Sequence, residues 1–170
     1  MAKYICIMKT TILVSIMVAV GLSVAAQKKG VLLKVSGEVT TPLELTASDI
    51  RALPHITVIA NDRSGNPHHY RGVAVEDVLS KAGVTLGKQL RGENLTKYVL
   101  AQCADGYEVV YSLAELDSSF VFHVPIIADS ADGKPLAEAK GPLRIIVPDE
   151  KKPARSCFQL TALTVRYARD

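Results

Sequence analysis

The sequence predicts an α+β domain with mixed, largely antiparallel sheets and a few short helices. Three observations carry that class. Runs of strand length with alternating apolar and polar residues outnumber helical runs. The strand-like runs follow one another through turn signals, not through the long crossovers of βαβ units. Only one stretch has a clear helical period.

Taken in order, residues 31–39, "VLLKVSGEV", alternate with one Gly interruption and predict a strand packed on one face. "TASDIRAL" predicts a short helix capped by Thr46 or Ser48, with Asp49 near its positive end. "HITVIA" predicts a second strand, and "NDRSGNPHH" is a turn cluster expected at the surface. "VAVEDVLSKAG" sets Val75, Val78 and Leu79 on one helical face and closes with Gly83 at the C-terminal cap position. "TLGKQLRGEN" is expected as a mobile loop. "TKYVLAQCADGYEVVYSL" is the clearest hairpin, two β-rich runs joined at Asp105 and Gly106. "IIADSADGKPL" repeats the device at Asp132 and Gly133, and "LRIIV" and "FQLTALTVRY" supply the last strands.

The N-terminus is expected to be removed. Lys3 and Lys9 precede an apolar run from Thr11 to Val24 that ends in small residues, which predicts a Sec-type signal peptide over 1–26 with cleavage after Ala26. The run is short for a membrane span of about 20 residues. Cleavage leaves a single domain, 27–170, expected in the periplasm or secreted, with no membrane association once the leader is gone. The leader takes two lysines and no carboxylate from the 20 basic and 17 acidic residues, leaving a net charge of +1. Such a balance points away from nucleic acid as a partner.

Cys103 and Cys157 remain after the leader. In an oxidising compartment they either form a disulfide or stay free, and spacing does not decide. Neither lies in a CxxC pair, and no metal site is predicted. His68 and His69 are adjacent, so on a strand they would point to opposite faces and not converge on one ion. His55 and His123 read as ordinary strand residues. The carboxylates Glu115, Asp117, Asp129 and Asp132 show no pairing for acid–base work. No nucleophile-elbow motif is present, and the catalytic residues are unassigned.

Two stretches together resemble one family. "YRGVAVEDVLSKAGV" resembles a segment, and "IIADSADGKPLAEAKGPLRIIVPDEKKPAR" the most recognisable block, of the sulfite-oxidase-type molybdopterin-binding domain. The resemblance spans roughly residues 31–167. It implies that family's mixed α+β fold, and oxygen-atom transfer at a molybdenum held by a pterin dithiolene and one cysteine thiolate. It also implies cationic groups around the pterin phosphate, for which Arg155, Arg144, Lys140 and Lys152 are the candidate cofactor-binding residues.

The sequence departs from the pattern at three places. The segment that should carry the metal-binding cysteine, "ITVIANDRSGNPHHY", has none. Lys140 stands where the family commonly has a histidine. Ser156, Cys157 and Phe158 follow Arg155, whereas catalytic members carry a basic residue three positions on. Cys157 occupies no ligand position in that pattern, so a disulfide with Cys103 is its expected role. The leader also lacks the twin arginines of signals that export a preloaded cofactor.

Three functional expectations follow: a domain without the molybdenum-ligating cysteine that binds a small anionic ligand, a cofactor or a redox partner protein; an active molybdopterin-dependent oxidoreductase; or a structural interaction module. Within "DEKKPAR", Lys151, Lys152 and Arg155 could gather around an anion, or Asp149 and Glu150 could neutralise the lysines.

Overall fold

The computed structural model describes residues 30–168, so the expected signal peptide lies outside the described residues. Among the described residues, ten strands form two five-stranded sheets, accompanied by two short α-helices. The first sheet has the order β2-β1-β10-β5-β6, built from β1 (Val31–Gly37), β2 (Leu43–Thr46), β5 (Lys97–Cys103), β6 (Glu108–Ser112) and β10 (Leu160–Tyr167). The second runs β3-β4-β7-β8, from β3 (Ile56–Asn61), β4 (Pro67–Ala74), β7 (Ile126–Ala131) and β8 (Lys134–Pro135), with β9 (Arg144–Ile146) also paired to β7. Every pairing is antiparallel except that of β1 with β10 at the middle of the first sheet. The expected α+β class, with largely antiparallel sheets, is the observed one.

Helix α1 (Ala47–Ala52) starts where the polar cluster predicts. Thr46 is its N-cap: its hydroxyl accepts from the Asp49 amide at 3.3 Å while the Asp49 carboxylate accepts from the Thr46 amide at 2.8 Å. Helix α2 (Val75–Lys81) buries Val75, Val78 and Leu79. Gly83, just past its end, takes φ +73°, and a Cβ there would lie 2.6 Å from the Thr40 side chain, so glycine is required twice over.

The main core fills the space between the first sheet, the two helices and β9, with Leu33, Ile50, Val78, Leu79, Leu163 and Ile145 all buried. A smaller cluster of Tyr70, Ile126, Ala128 and Ile146 lies on the second sheet, with Val58 and Ala60 of β3 packed against it. Gly72 belongs to this second sheet. A Cβ at that position would sit 2.1 Å from the Ile127 carbonyl oxygen, so only glycine lets β4 approach β7 at this register shift.

The structure differs from expectation in three elements. Pro67, His68 and His69 belong to β4 and not to the turn, because the hairpin is in register from Ile56–Gly72 down to Asn61–Pro67 and confines the turn to residues 62–66. Strand β2 was not expected. The segment expected as a mobile loop forms two 3-10 turns, Gly87–Gln89 and Gly92–Thr96, anchored by buried Leu90 and by the Gly87 amide donating to Asp117 at 2.5 Å.

Candidate functional site

The chain between β9 and β10, residues 147–159, crosses beside the β3–β4 hairpin and leaves two adjoining cavities, of about 550 and 250 Å³. Both are lined by Arg63 of the hairpin turn and by Pro153 and Phe158 of the crossing segment. Lys152 adds a cation to the larger cavity, and Lys140 and Arg144 add two to the smaller.

Arg144 is the unusual member. It sits on β9 only 5% exposed. The aromatic rings of Tyr70 and Phe158 lie 5.0 and 4.3 Å from its guanidinium carbon. One terminal nitrogen donates to the Tyr70 hydroxyl and the other to the Ser156 carbonyl, each at 3.3 Å. Its buried Nε donates to nothing, and among the described residues no carboxylate forms an ion pair with it. Burial pushes its pKa below the ordinary arginine value, only partly countered by Tyr70 and Cys157. A buried cation without a counter-charge and with a spare donor is costly unless an anion completes it.

Arg155 contrasts with it. Its Nε and one Nη reach Glu150 Oε1 at 2.7 and 2.5 Å, and the other Nη reaches Glu115 Oε1 at 2.9 Å. Its carbonyl accepts from the buried Tyr111 hydroxyl. Burial works against its charge, but the two glutamates outweigh this and raise its pKa. Arg155 therefore ties the loop to the 3-10 turn Leu113–Leu116 and offers little to a ligand. Of the two sequence alternatives for "DEKKPAR", partial neutralisation occurs, with Glu150 serving Arg155 and not the lysines.

The other candidates fall around the cavities. Lys140 is exposed, its ammonium 5.9 Å from the Phe158 ring, and Lys152 is exposed at the larger cavity. Phe158, standing where the family pattern has a basic residue, is an aromatic platform for Arg144 and Lys140. Sequence reasoning missed Arg63, Tyr70 and Phe158. The turn signal in "NDRSGN" locates Arg63 at the surface, but only the hairpin register brings it to the crossing segment. The nearby Asp62 accepts from the amides of Ser64 and Asn66 at 2.8 and 2.9 Å, so its charge is engaged in shaping the turn.

The histidines do not converge. His55 pairs with Asp129 at 3.0 Å, His68 with Asp132 at 2.6 Å and His123 with Asp149 at 2.5 Å. Among the described residues no group of three or more His, Cys, Asp or Glu side chains could hold a metal ion.

Cys103 and Cys157 are both buried in the main core and both free thiols, so the expected disulfide is not formed in this structure. The chain around Cys103 nevertheless lies beside the segment that carries Cys157, through the Ala104 amide and the Tyr107 hydroxyl, and Cys157 lines the larger cavity. Burial pushes both thiols up from their ordinary value. A soft metal needs a thiolate on an accessible edge. The segment 56–70, where the pattern places that cysteine, carries none, and Cys103 and Cys157 are both buried in the main core.

Comparison with known proteins agrees with this architecture. A family model described as the oxidoreductase molybdopterin binding domain matches residues 22–166. No curated protein matches the chain. Among solved structures 25 chains match. One is the sulfane dehydrogenase SoxCD from Paracoccus pantotrophus, 19% identical with a TM-score of 0.64, over 81% of this chain and 39% of that one. The present chain thus spans well under half the length of that relative, and the likeness is one of fold.

Proposed function

Since the chain belongs to the oxidoreductase molybdopterin-binding domain family, we propose that it is an exported, periplasmic or secreted member whose cationic pocket binds a small anionic ligand carrying a phosphate or similar group. The observation that carries this is the buried Arg144 guanidinium, whose Nε has no partner and with which, among the described residues, no carboxylate forms an ion pair, although Asp62 lines the same cavity. Lys140, Lys152 and Arg63 line the same cavities from exposed positions and add the long-range attraction.

The residues fit one half of the family's cofactor. Arg144, Lys140 and Arg63 suit a pterin phosphate. The thiolate that would hold molybdenum has no counterpart on β3, so the metal half does not fit and no redox step is assigned to this chain. When bound in such domains, the pterin supplies its dithiolene to the metal. Here the residues account for recognition of the phosphate alone.

Isothermal titration with inorganic sulfate, inorganic phosphate and a pterin phosphate tests this. The expected result is binding of at least one, weakened most in Arg144→Met and less in the exposed variants Arg63→Ala and Lys140→Ala. No binding by any of the three, or binding unchanged in all three variants, overturns it.

A second reading, docking of a partner protein beside the pocket, is favoured by one observation. Phe122 is fully exposed, on a segment tied to the site loop through the His123–Asp149 pair. A photocrosslinker at position 122 that captures no more in intact cells than one at exposed Lys88 removes this reading.

A further inference from the structure

The two thiols are placed where a covalent bond would act on the pocket. Cys103 ends β5 opposite Leu160 of β10. The Ala104 amide donates to the Gln159 carbonyl at 3.0 Å, and the Ile145 amide to the Cys157 carbonyl at 3.1 Å. Backbone bonds therefore hold both cysteines in place from outside the pair. On either side of Cys157 stand two of the three residues that hold Arg144: Ser156, whose carbonyl accepts from it, and Phe158, whose ring covers it. Whatever fixes Cys157 fixes the walls of the anion pocket.

The geometry points to a Cys103–Cys157 disulfide as a clamp whose redox state sets the anion affinity of the Arg144 pocket. The inference rests on the anion-binding function proposed above. Bond formation removes one proton and one electron from each thiol and joins the two sulfurs. The two electrons and two protons pass to the disulfide of an exchange partner, oxidised glutathione or an oxidising thiol–disulfide protein, which leaves as two thiols.

Without the bond, the segment is held on its outer side by Arg155 with Glu115 and Glu150, and by the Tyr107 hydroxyl donating to the Ala154 carbonyl at 3.0 Å. The bond adds a tether on the inner side and removes part of the ordering that ligand binding otherwise demands. Burial keeps both thiols protonated, and exchange needs a thiolate. The clamp is therefore set while the chain folds or the loop opens, and it then persists.

The test uses the full chain prepared in glutathione disulfide and in dithiothreitol, with thiols counted by alkylation after denaturation and inorganic phosphate as the titrant. The oxidised form is expected to expose no alkylatable Cys103 or Cys157 and to bind phosphate about tenfold more tightly. The Cys103→Ser/Cys157→Ser variant should match the reduced form under both conditions, and the wild-type comparison stands without it should it fail to fold. Two alkylatable thiols in the glutathione-treated protein, or equal phosphate affinity with the bond present and absent, overturn the inference. A bond that forms while neither form binds phosphate overturns the anion-pocket reading and this coupling with it. Equal binding in both forms overturns the coupling alone.

Discussion

Arg144 and Arg155 are two cations on one stretch of chain with opposite fates. Arg155, in the charged loop, is half-exposed and saturated by two glutamates. Arg144, in an apolar strand, is buried between two rings with a donor left over. The loop arginine looks like the binding residue in the sequence, yet the strand arginine is the one left with an unused donor. What leaves a cation without an ion pair is the lack of a carboxylate brought against it by the fold, and that is a tertiary property.

The sharpest way to break this comparison is to exchange the consequences. Arg144→Met should weaken phosphate binding by about 30-fold, from loss of charge-assisted hydrogen bonds, while leaving the fold intact because methionine fills a similar space. Titration checks the first and thermal unfolding the second. Arg155→Met should do the reverse. It leaves Glu115 and Glu150 without their shared cation and should cost about 1 kcal/mol of stability after solvent screening, with phosphate affinity moving less than about twofold. Chemical denaturation measures this, and a larger affinity loss in Arg155→Met than in Arg144→Met would reverse the assignment.

A smaller effect belongs to the ring between Arg144 and Lys140. Phe158→Leu keeps the apolar contact and removes the π face, so phosphate binding should fall about threefold through a less ordered guanidinium. The smallest effect is in pH. Burial acts to raise the Glu115 pKa, but Arg155 and Ser112 outweigh it and hold the carboxyl below its ordinary value. Its contribution to stability is thus fully present above the ordinary carboxylate value and is lost as pH falls through the lower folded-state value. In Arg155→Met part of that acid sensitivity should disappear, seen as a flatter stability profile below about pH 4.5.

Much of the fold is legible in the sequence because period-2 runs and Asp-Gly turns are local signals. The β5–β6 hairpin lies where "ADG" predicts it, with Gly106 at φ +83°. Strand β2 is four residues long and pairs only because β1 lies beside it, so no local pattern announces it. The expected loop 85–94 is ordered by Leu90 entering the core and by Asp117, 30 residues away from Gly87. The site is less legible for the same reason. The Arg144 environment is assembled from Tyr70, 74 residues earlier, and from the crossing segment, and no spacing rule connects these. The two cysteines sit between these cases: the sequence names them, and only the β5–β10 register, with Leu160 opposite Cys103, brings the segment carrying Cys157 alongside β5.

The parallel pairing of β1 with β10, the only one among the described residues, bears on biogenesis. The middle strand of the first sheet is made last, so β1 and β5 have no partner between them until residues 160–167 leave the ribosome. A chain whose sheet is completed by its final strand has a high contact order and stays open during synthesis.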